Sequence, residues 1–261
     1  MDLGLGGKVV LVTAASRGIG LACARRFIAE GATVAISARR ADGLAAAVAQ
    51  LGGAGRVTSH AADLTSEAET ARLLDEVDRA HGRLDVLVSN TGGPRIAAFV
   101  DTTLADWAAA YELLLRPAVQ LAHGAARRMT AAGGGSIVFL TSTWVKQPKP
   151  GGVLSAAMRS AVSALAKQLA LELAPHRIRV NQVLPGATGT DRMRAILASA
   201  AHRSGATEED ELRKVVADIP LARWASPEEI ADAVAFLASA RSAFITGTAL
   251  QVDGGAVRST L

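Results

Sequence analysis

Two glycines, Gly18 and Gly20, lie between an apolar run and a helical pattern near the start of the chain. The apolar run covers residues 8–13, and a helical pattern begins at about Gly18. Glycine lets the backbone approach a ligand closely, and the N-terminus of a helix presents free N–H groups to negative charge. The pattern predicts a turn that binds the diphosphate of a dinucleotide, with an ordinary glycine-containing turn as the alternative.

The end of the second apolar run carries basic residues. Residues 33–37 are followed by Ala38, Arg39 and Arg40, with no acidic residue that would bind the ribose 2′-hydroxyl of NAD. Arg17 and Arg39 can instead form a cationic clamp on a 2′-phosphate. We therefore expect NADP(H) to be favoured over NAD(H). If Arg39 simply points into water, the choice stays open.

Apolar runs alternate with helical patterns along the whole chain, and these elements must position the residues above. The runs cover residues 8–13, 33–37, 56–61, 85–89, 136–141, 178–183 and 248–252. After the helix at Gly18, helical patterns cover residues 44–51, 66–81, 104–129, 154–173 and 227–239. Such alternation predicts a single Rossmann-like, doubly wound α/β domain over residues 1–261, with residues 187–220 as a lid of two helical pieces.

Composition excludes several classes of protein. Half of the 261 residues are apolar and only 3% are aromatic, which suits aliphatic helices packed on a parallel sheet. The net charge of +4 is spread among scattered arginines, so no nucleic-acid partner is expected. The lone Cys23 is expected in the core, and the five histidines show no metal-ligand spacing. With no targeting signal in residues 1–7 and no membrane-length run, we expect a cytoplasmic protein.

Further motifs follow the strand ends and carry a resemblance to a known family. They are Asp63-Leu64, Asn90 with Gly92, Pro185-Gly186, Ile245-Thr246-Gly247 and Val252-Asp253-Gly254-Gly255. Together with the turn at residues 13–20, they resemble the short-chain dehydrogenase/reductase family, in particular its 3-oxoacyl-ACP reductase-like members. Ala14 replaces the first glycine of that family's turn.

The resemblance implies a seven-stranded parallel sheet in the order 3-2-1-4-5-6-7 and a homo-oligomer, a tetramer or a dimer. It also implies a set of cofactor-binding residues, which includes Arg159 of the catalytic region. They are Thr13, Ser16, Arg17, Gly18, Ile19, Gly20, Arg39, Asp63, Leu64, Asn90, Gly92, Arg159, Pro185, Gly186, Thr188 and Thr190.

The catalytic residues of the family are only partly matched. Ser142 matches the serine that binds the substrate oxygen, so the resemblance implies Ser142, Ser155 and Arg159 as catalytic positions. Ser155 and Arg159 take the places of the proton-donating Tyr and its Lys, and Leu114 takes that of the proton-path Asn. A serine hydroxyl is a poor acid and Arg stays charged, so proton transfer must differ from the family's. Lys146 is the nearby titratable candidate.

The sequence leaves three functions open. The first is an atypical oxidoreductase that uses NADP(H) on a carbonyl, alcohol or imine of a small molecule. The second is a non-redox enzyme, such as a dehydratase, isomerase or cyclase, in which Ser142, Ser155 and Arg159 polarise an oxyanion. The third is a nucleotide-binding protein that has lost its chemistry. Trp144, Phe99, Tyr111 and Met193 are candidates for a substrate pocket or for packing.

Overall fold

Seven strands form one parallel sheet in the computed structural model, which describes residues 2–52 and 55–260. Their order is β3-β2-β1-β4-β5-β6-β7, and every neighbouring pair is parallel, so the expected topology is confirmed. The strands are β1 (Val9–Val12), β2 (Thr33–Ala38), β3 (Val57–Ala61), β4 (Val86–Ser89), β5 (Gly135–Leu140), β6 (Ile178–Pro185) and β7 (Ala249–Val252).

Helices connect the strands and cover both faces of the sheet. They are α1 (Gly18–Ala29), α2 (Ala41–Gln50), α3 (Glu67–His81), α4 (Leu104–Ala110), α5 (Arg116–Ala131), α6 (Val153–Glu172), α7 (Asp191–Ser204), α8 (Glu208–Ala217) and α9 (Pro227–Ala238). One core cluster packs α1, α2 and α9 on the sheet, and a second packs α3, α5 and α6 on the opposite face. No helix in the described ranges has the length and apolarity to cross a membrane.

Alternation within the strands explains why the sheet has two buried faces. In β1, Val10 and Val12 belong to the α1 side, whereas Val9 and Leu11 belong to the α3 side. Cys23 is completely buried in the first cluster, as expected for a core residue. Burial raises the pKa of its thiol to about 12, so Cys23 stays protonated at neutral pH.

Two expected element boundaries are wrong. Helix α2 begins at Ala41, three residues before the predicted start at residue 44. The helix expected over residues 104–129 is interrupted by a π-helical turn at Tyr111–Leu115, between α4 and α5. Such turns occur frequently at functional sites, and this one contains Leu114. The lid expected over residues 187–220 contains two helices, α7 and α8.

Candidate functional site

The ends of β1 and β4 are tied together at the edge of the sheet where the candidate site lies. The Thr13 hydroxyl donates to the carbonyl of Asn90 at 2.7 Å, and the Asn90 N–H donates back to Thr13 Oγ1 at 2.9 Å. The Asn90 side-chain amide also donates to the carbonyl of Ala14 at 3.4 Å. These contacts fix the loop after β1 against the loop after β4.

The glycine-containing loop packs directly on the start of α1. A Cβ added to Gly20 would lie 2.5 Å from the carbonyl oxygen of Ala14 and 2.9 Å from Cα of Ala15, so only glycine fits. Ala14 itself has a φ of 48°, in the left-handed region that glycine adopts more readily. Ala14, which replaces the first glycine of the family's turn, therefore adopts a conformation that is less favourable for alanine than for glycine.

The N-terminus of α1 is open to an anion. Its first turn contains no acidic residue, and the N-cap residue Arg17 makes no side-chain capping bond. Unsatisfied N–H groups and the helix dipole attract a phosphate at such a terminus. The cradle formed by Gly20 and this helix end fits the diphosphate of a dinucleotide cofactor.

A cation and a carboxylate flank the ends of β2 and β3. Arg39 is exposed and has no hydrogen-bond or ion-pair partner in the described ranges. Asp63 accepts hydrogen bonds from the N–H and hydroxyl of Thr65, at 3.0 and 2.8 Å. These bonds, together with the charge of Arg39, lower the pKa of Asp63. Asp63 is thus an ionised acceptor close to an available guanidinium.

The segment over residues 187–220 begins next to the glycine-containing loop. The Thr188 hydroxyl donates to the carbonyl of Gly186 at 3.1 Å, and Thr190 caps α7 by accepting from the N–H of Met193 at 3.3 Å. The methyl carbon of Thr190 lies 3.3 Å from the position of a Cβ on Gly18. The structure therefore brings Gly18 and Thr190 together, while both threonine hydroxyls also serve their own loop.

Ser142 follows β5 and caps the short turn after it. Its Oγ accepts a hydrogen bond from the N–H of Trp144 at 3.2 Å, which leaves the hydroxyl proton available to a ligand. Ser155 lies in the first turn of α6, where its half-buried hydroxyl has no partner among the described residues. Lys146 is exposed on the same turn as Trp144.

Arg159, in the second turn of α6, reaches the carboxyl end of β5. Its Nη1 donates to the carbonyls of Leu140 and Thr141 at 2.9 and 3.1 Å, and its Nη2 donates to the carbonyl of Gly92 at 3.4 Å. Burial, and then the charge of Arg192, lower the pKa of Arg159 to about 10, so it remains charged at neutral pH.

Leu114 and Arg159 line the same small cavity beneath the ends of β4 and β5. Leu114 is 2% exposed, so it presents an apolar wall beside the guanidinium. The other residues around the cavity are Ser89, Thr91, Ala118, Phe139, Leu140 and Val162. The structure thus joins Leu114, from the π-helical turn, with Arg159, from α6.

Comparison with known proteins identifies the family. A family model described as Enoyl-(Acyl carrier protein) reductase matches residues 13–257. The D-threitol dehydrogenase of Mycolicibacterium smegmatis is 34% identical over 256 residues, which cover 97% of this chain and 94% of that enzyme. This chain belongs to the short-chain dehydrogenase/reductase family of oxidoreductases.

Solved members of the family share the whole fold. The L-sorbose reductase from Gluconobacter frateurii, complexed with NADPH and L-sorbose, has a TM-score of 0.95 and 33% sequence identity, and the match covers 99% of this chain and 100% of that one. A 7α-hydroxysteroid dehydrogenase complexed with NADH and 7-oxo glycochenodeoxycholic acid has a TM-score of 0.89 and 33% identity, covering 100% and 98%. The solved structures similar to this chain therefore include both an NADPH complex and an NADH complex.

Sequence reasoning missed Arg192, the second residue of α7. It lies outside the motifs of the short-chain dehydrogenase/reductase family that the sequence matches, and its contacts are distant in sequence. Its Nη2 donates to the carbonyl of Pro94 at 2.8 Å. Of the candidate pocket residues, Phe99 is 67% exposed, and the Trp144 ring packs on Gly152.

Proposed function

We propose that this chain is an NADP(H)-dependent oxidoreductase that acts on a carbonyl, alcohol or imine of a small molecule through an atypical active site. The observation that carries the proposal is the dinucleotide cradle at Gly20, which lies at the same sheet edge as Ser142 and Arg159. Ser155 and Arg159 stand at the positions where other family members use Tyr and Lys.

Each part of the cofactor has a proposed set of partners. The N–H groups at the start of α1 bind the diphosphate, and Arg17 and Arg39 bind the 2′-phosphate that distinguishes NADP(H). The absence of any ion-pair partner for Arg39 in the described ranges supports this assignment. Asp63 accepts from the adenine amino group, and Arg159 donates to the nicotinamide ribose.

The chemistry divides between the cofactor and the chain. A bound NADPH supplies a hydride from C4 of its nicotinamide. The Ser142 hydroxyl donates to the substrate oxygen, and the positive charge of Arg159 stabilises the negative charge that develops there. The proton comes from Lys146, from water or from the substrate, because a serine hydroxyl is too weak an acid.

A non-redox reaction on the same scaffold is the second candidate. The observation that favours it is the charged Arg159 guanidinium, whose bonds to Leu140 and Thr141 place it beside Ser142. In a dehydratase or isomerase, a cation and a hydroxyl donor can stabilise an oxyanion without hydride transfer. NADPH consumption that is stoichiometric with product supports the oxidoreductase. Substrate conversion without NADPH consumption supports the second candidate.

The test restores the family's residues together. The variant Leu114→Asn, Ser155→Tyr, Arg159→Lys should raise reduction of simple activated ketones by NADPH, because it supplies the hydroxyl, its cationic neighbour and the proton path. Each single change should do little, because such groups act as a unit. A folded, NADPH-binding triple variant without any gain would show that the site is not arranged for hydride transfer.

We also propose that the chain forms a homo-oligomer, most simply a tetramer. Val119 on α5 and Leu171 on α6 are 44% and 64% exposed, and α5 and α6 are the helices through which family members commonly pair. A partner that covers these side chains would remove apolar surface from water. Light scattering at micromolar concentration should show the oligomer, and a monomer would contradict the proposal.

A further inference from the structure

Two guanidinium groups from different helices converge on the loop after β4. Arg159 of α6 donates to the carbonyl of Gly92, and Arg192 of α7 donates to the carbonyl of Pro94. Between them, a Cβ added to Gly93 would lie 2.5 Å from Cζ of Arg192. The Arg192 guanidinium therefore packs directly on the glycine backbone, and the two cations flank one short segment of chain.

Neither guanidinium has a carboxylate partner in the described ranges. Asp191, the sequence neighbour of Arg192, lies 3.8 Å from Arg194 instead. Burial lowers the pKa values of Arg159 and Arg192, and the charge of Arg192 lowers that of Arg159 further. Adjacent, partly desolvated cations without an anion are unfavourable, and a bound anion would relieve the repulsion.

Both side chains keep donors available. A guanidinium carries five N–H donors, and those used by Arg159 and Arg192 point to the backbone carbonyls described above. The bond from Nη2 of Arg159 to Gly92 lies on the exposed side of the site, as does that of Arg192. Arg192 uses one of its five donors, so the others can form a fork for the two oxygens of a carboxylate, while Arg159 adds its charge and keeps a donor for the nicotinamide ribose.

From this geometry we propose that Arg159 and Arg192 form a carboxylate-binding site and that the substrate is a small oxo acid or hydroxy acid. Arg159 donates to the carbonyls of Leu140 and Thr141, which directly precede Ser142 in the chain, so the proposed site lies at the same end of β5 as the hydroxyl assigned to the reacting oxygen. This inference rests on the proposed function and names its substrate class.

Calorimetry with the unreactive pair oxamate and oxamide tests the inference separately from catalysis. Oxamate carries the carboxylate and oxamide is its neutral counterpart, and each is titrated into the full-length protein with and without NADP⁺. Oxamate should bind at least about tenfold more tightly than oxamide. Arg192→Gln should abolish that preference. The control Arg194→Gln should keep it, because Arg194 pairs with Asp191 and lies over the Trp224 ring.

The outcomes separate the possible sources of the anion. Equal binding of oxamate and oxamide by the wild type would overturn the inference. A loss of NADPH affinity in Arg192→Gln, with the oxamate preference intact, would also overturn it, because the cations would then serve the cofactor's phosphates. If oxamate preference is present but NADPH reduces no oxo acid, the carboxylate site stands and the proposed oxidoreductase function fails.

Discussion

Substitution of Gly20 by alanine tests whether the glycine-containing loop is built as the structure shows. The new methyl group would lie 2.5 Å from the Ala14 carbonyl oxygen and 2.9 Å from Cα of Ala15, both backbone atoms that cannot rotate away. Overpacking of this kind costs about 1–3 kcal/mol. Replacing a helical glycine by alanine by itself stabilises a helix by about 1 kcal/mol, so we expect Gly20→Ala to lower the free energy of unfolding by up to about 2 kcal/mol.

Gly43 in α2 offers a matched control. A Cβ there would lie 3.5 Å from Cβ of Ser16, an ordinary contact, so Gly43→Ala should stabilise the protein by up to about 1 kcal/mol. Urea unfolding at one protein concentration, followed by tryptophan fluorescence, measures both variants. NADPH binding should weaken at least about tenfold in Gly20→Ala, because the loop must shift from the helix end. Equal stability of the two variants with unchanged NADPH affinity would refute the reasoning.

Three further outcomes are expected. Arg39→Asp should weaken NADPH binding about tenfold or more and narrow the preference for NADPH over NADH, since a charge-assisted bond contributes about 1.5–3 kcal/mol. Equal affinities of the wild type for NADPH and NADH would contradict a role of Arg39 in selecting the cofactor. In a pH–rate profile, Ser155 and Arg159 should give no limb between about pH 5 and 9, because a serine hydroxyl does not titrate there and the pKa of Arg159 is about 10. If the profile has a basic limb and Lys146→Met abolishes it, Lys146 is the acid. Bonds from Arg223 and the Ser226 N–H lower the pKa of Glu229 from its unfolded value of 4.5 to about 2. The stabilisation of the protein by ionised Glu229 is therefore present above pH 4.5 and is lost as the pH falls towards 2. The difference in Tm between wild type and Glu229→Gln should shrink over that range, and a constant difference would contradict this prediction.

The sequence predicts most of the fold because the strands are short aliphatic runs separated by helical patterns. The order of the sheet comes from the resemblance, since alternation alone does not determine which strands are neighbours. The π-helical turn at Tyr111–Leu115 is not predictable, because its apolar residues fit the periodicity of an uninterrupted helix. Helix α2 begins earlier than expected because Gly43 weakens the helical pattern of its first turn.

The site is less predictable than the fold. The cradle at Gly18 and Gly20 follows from two adjacent elements of the chain, so a local pattern suffices. The contacts of Arg192 with Gly93 and Pro94 join residues about a hundred positions apart and depend on how the segment over residues 187–220 folds back. The cavity that joins Leu114 to Arg159 is equally non-local, since it lies between a π-helical turn and α6.

The most direct test of an NADP(H)-dependent oxidoreductase is transfer of label from the cofactor to a product. NADPH deuterated at C4 of the nicotinamide, on each face in turn, is incubated with the protein and a panel of small oxo acids and neutral ketones. Mass spectrometry of the alcohol products should find one deuterium per molecule from one face, with the oxo acids converted fastest. If NADPH binds in the cradle at Gly20 but no product acquires deuterium from either face, the account of this chain as an oxidoreductase is contradicted.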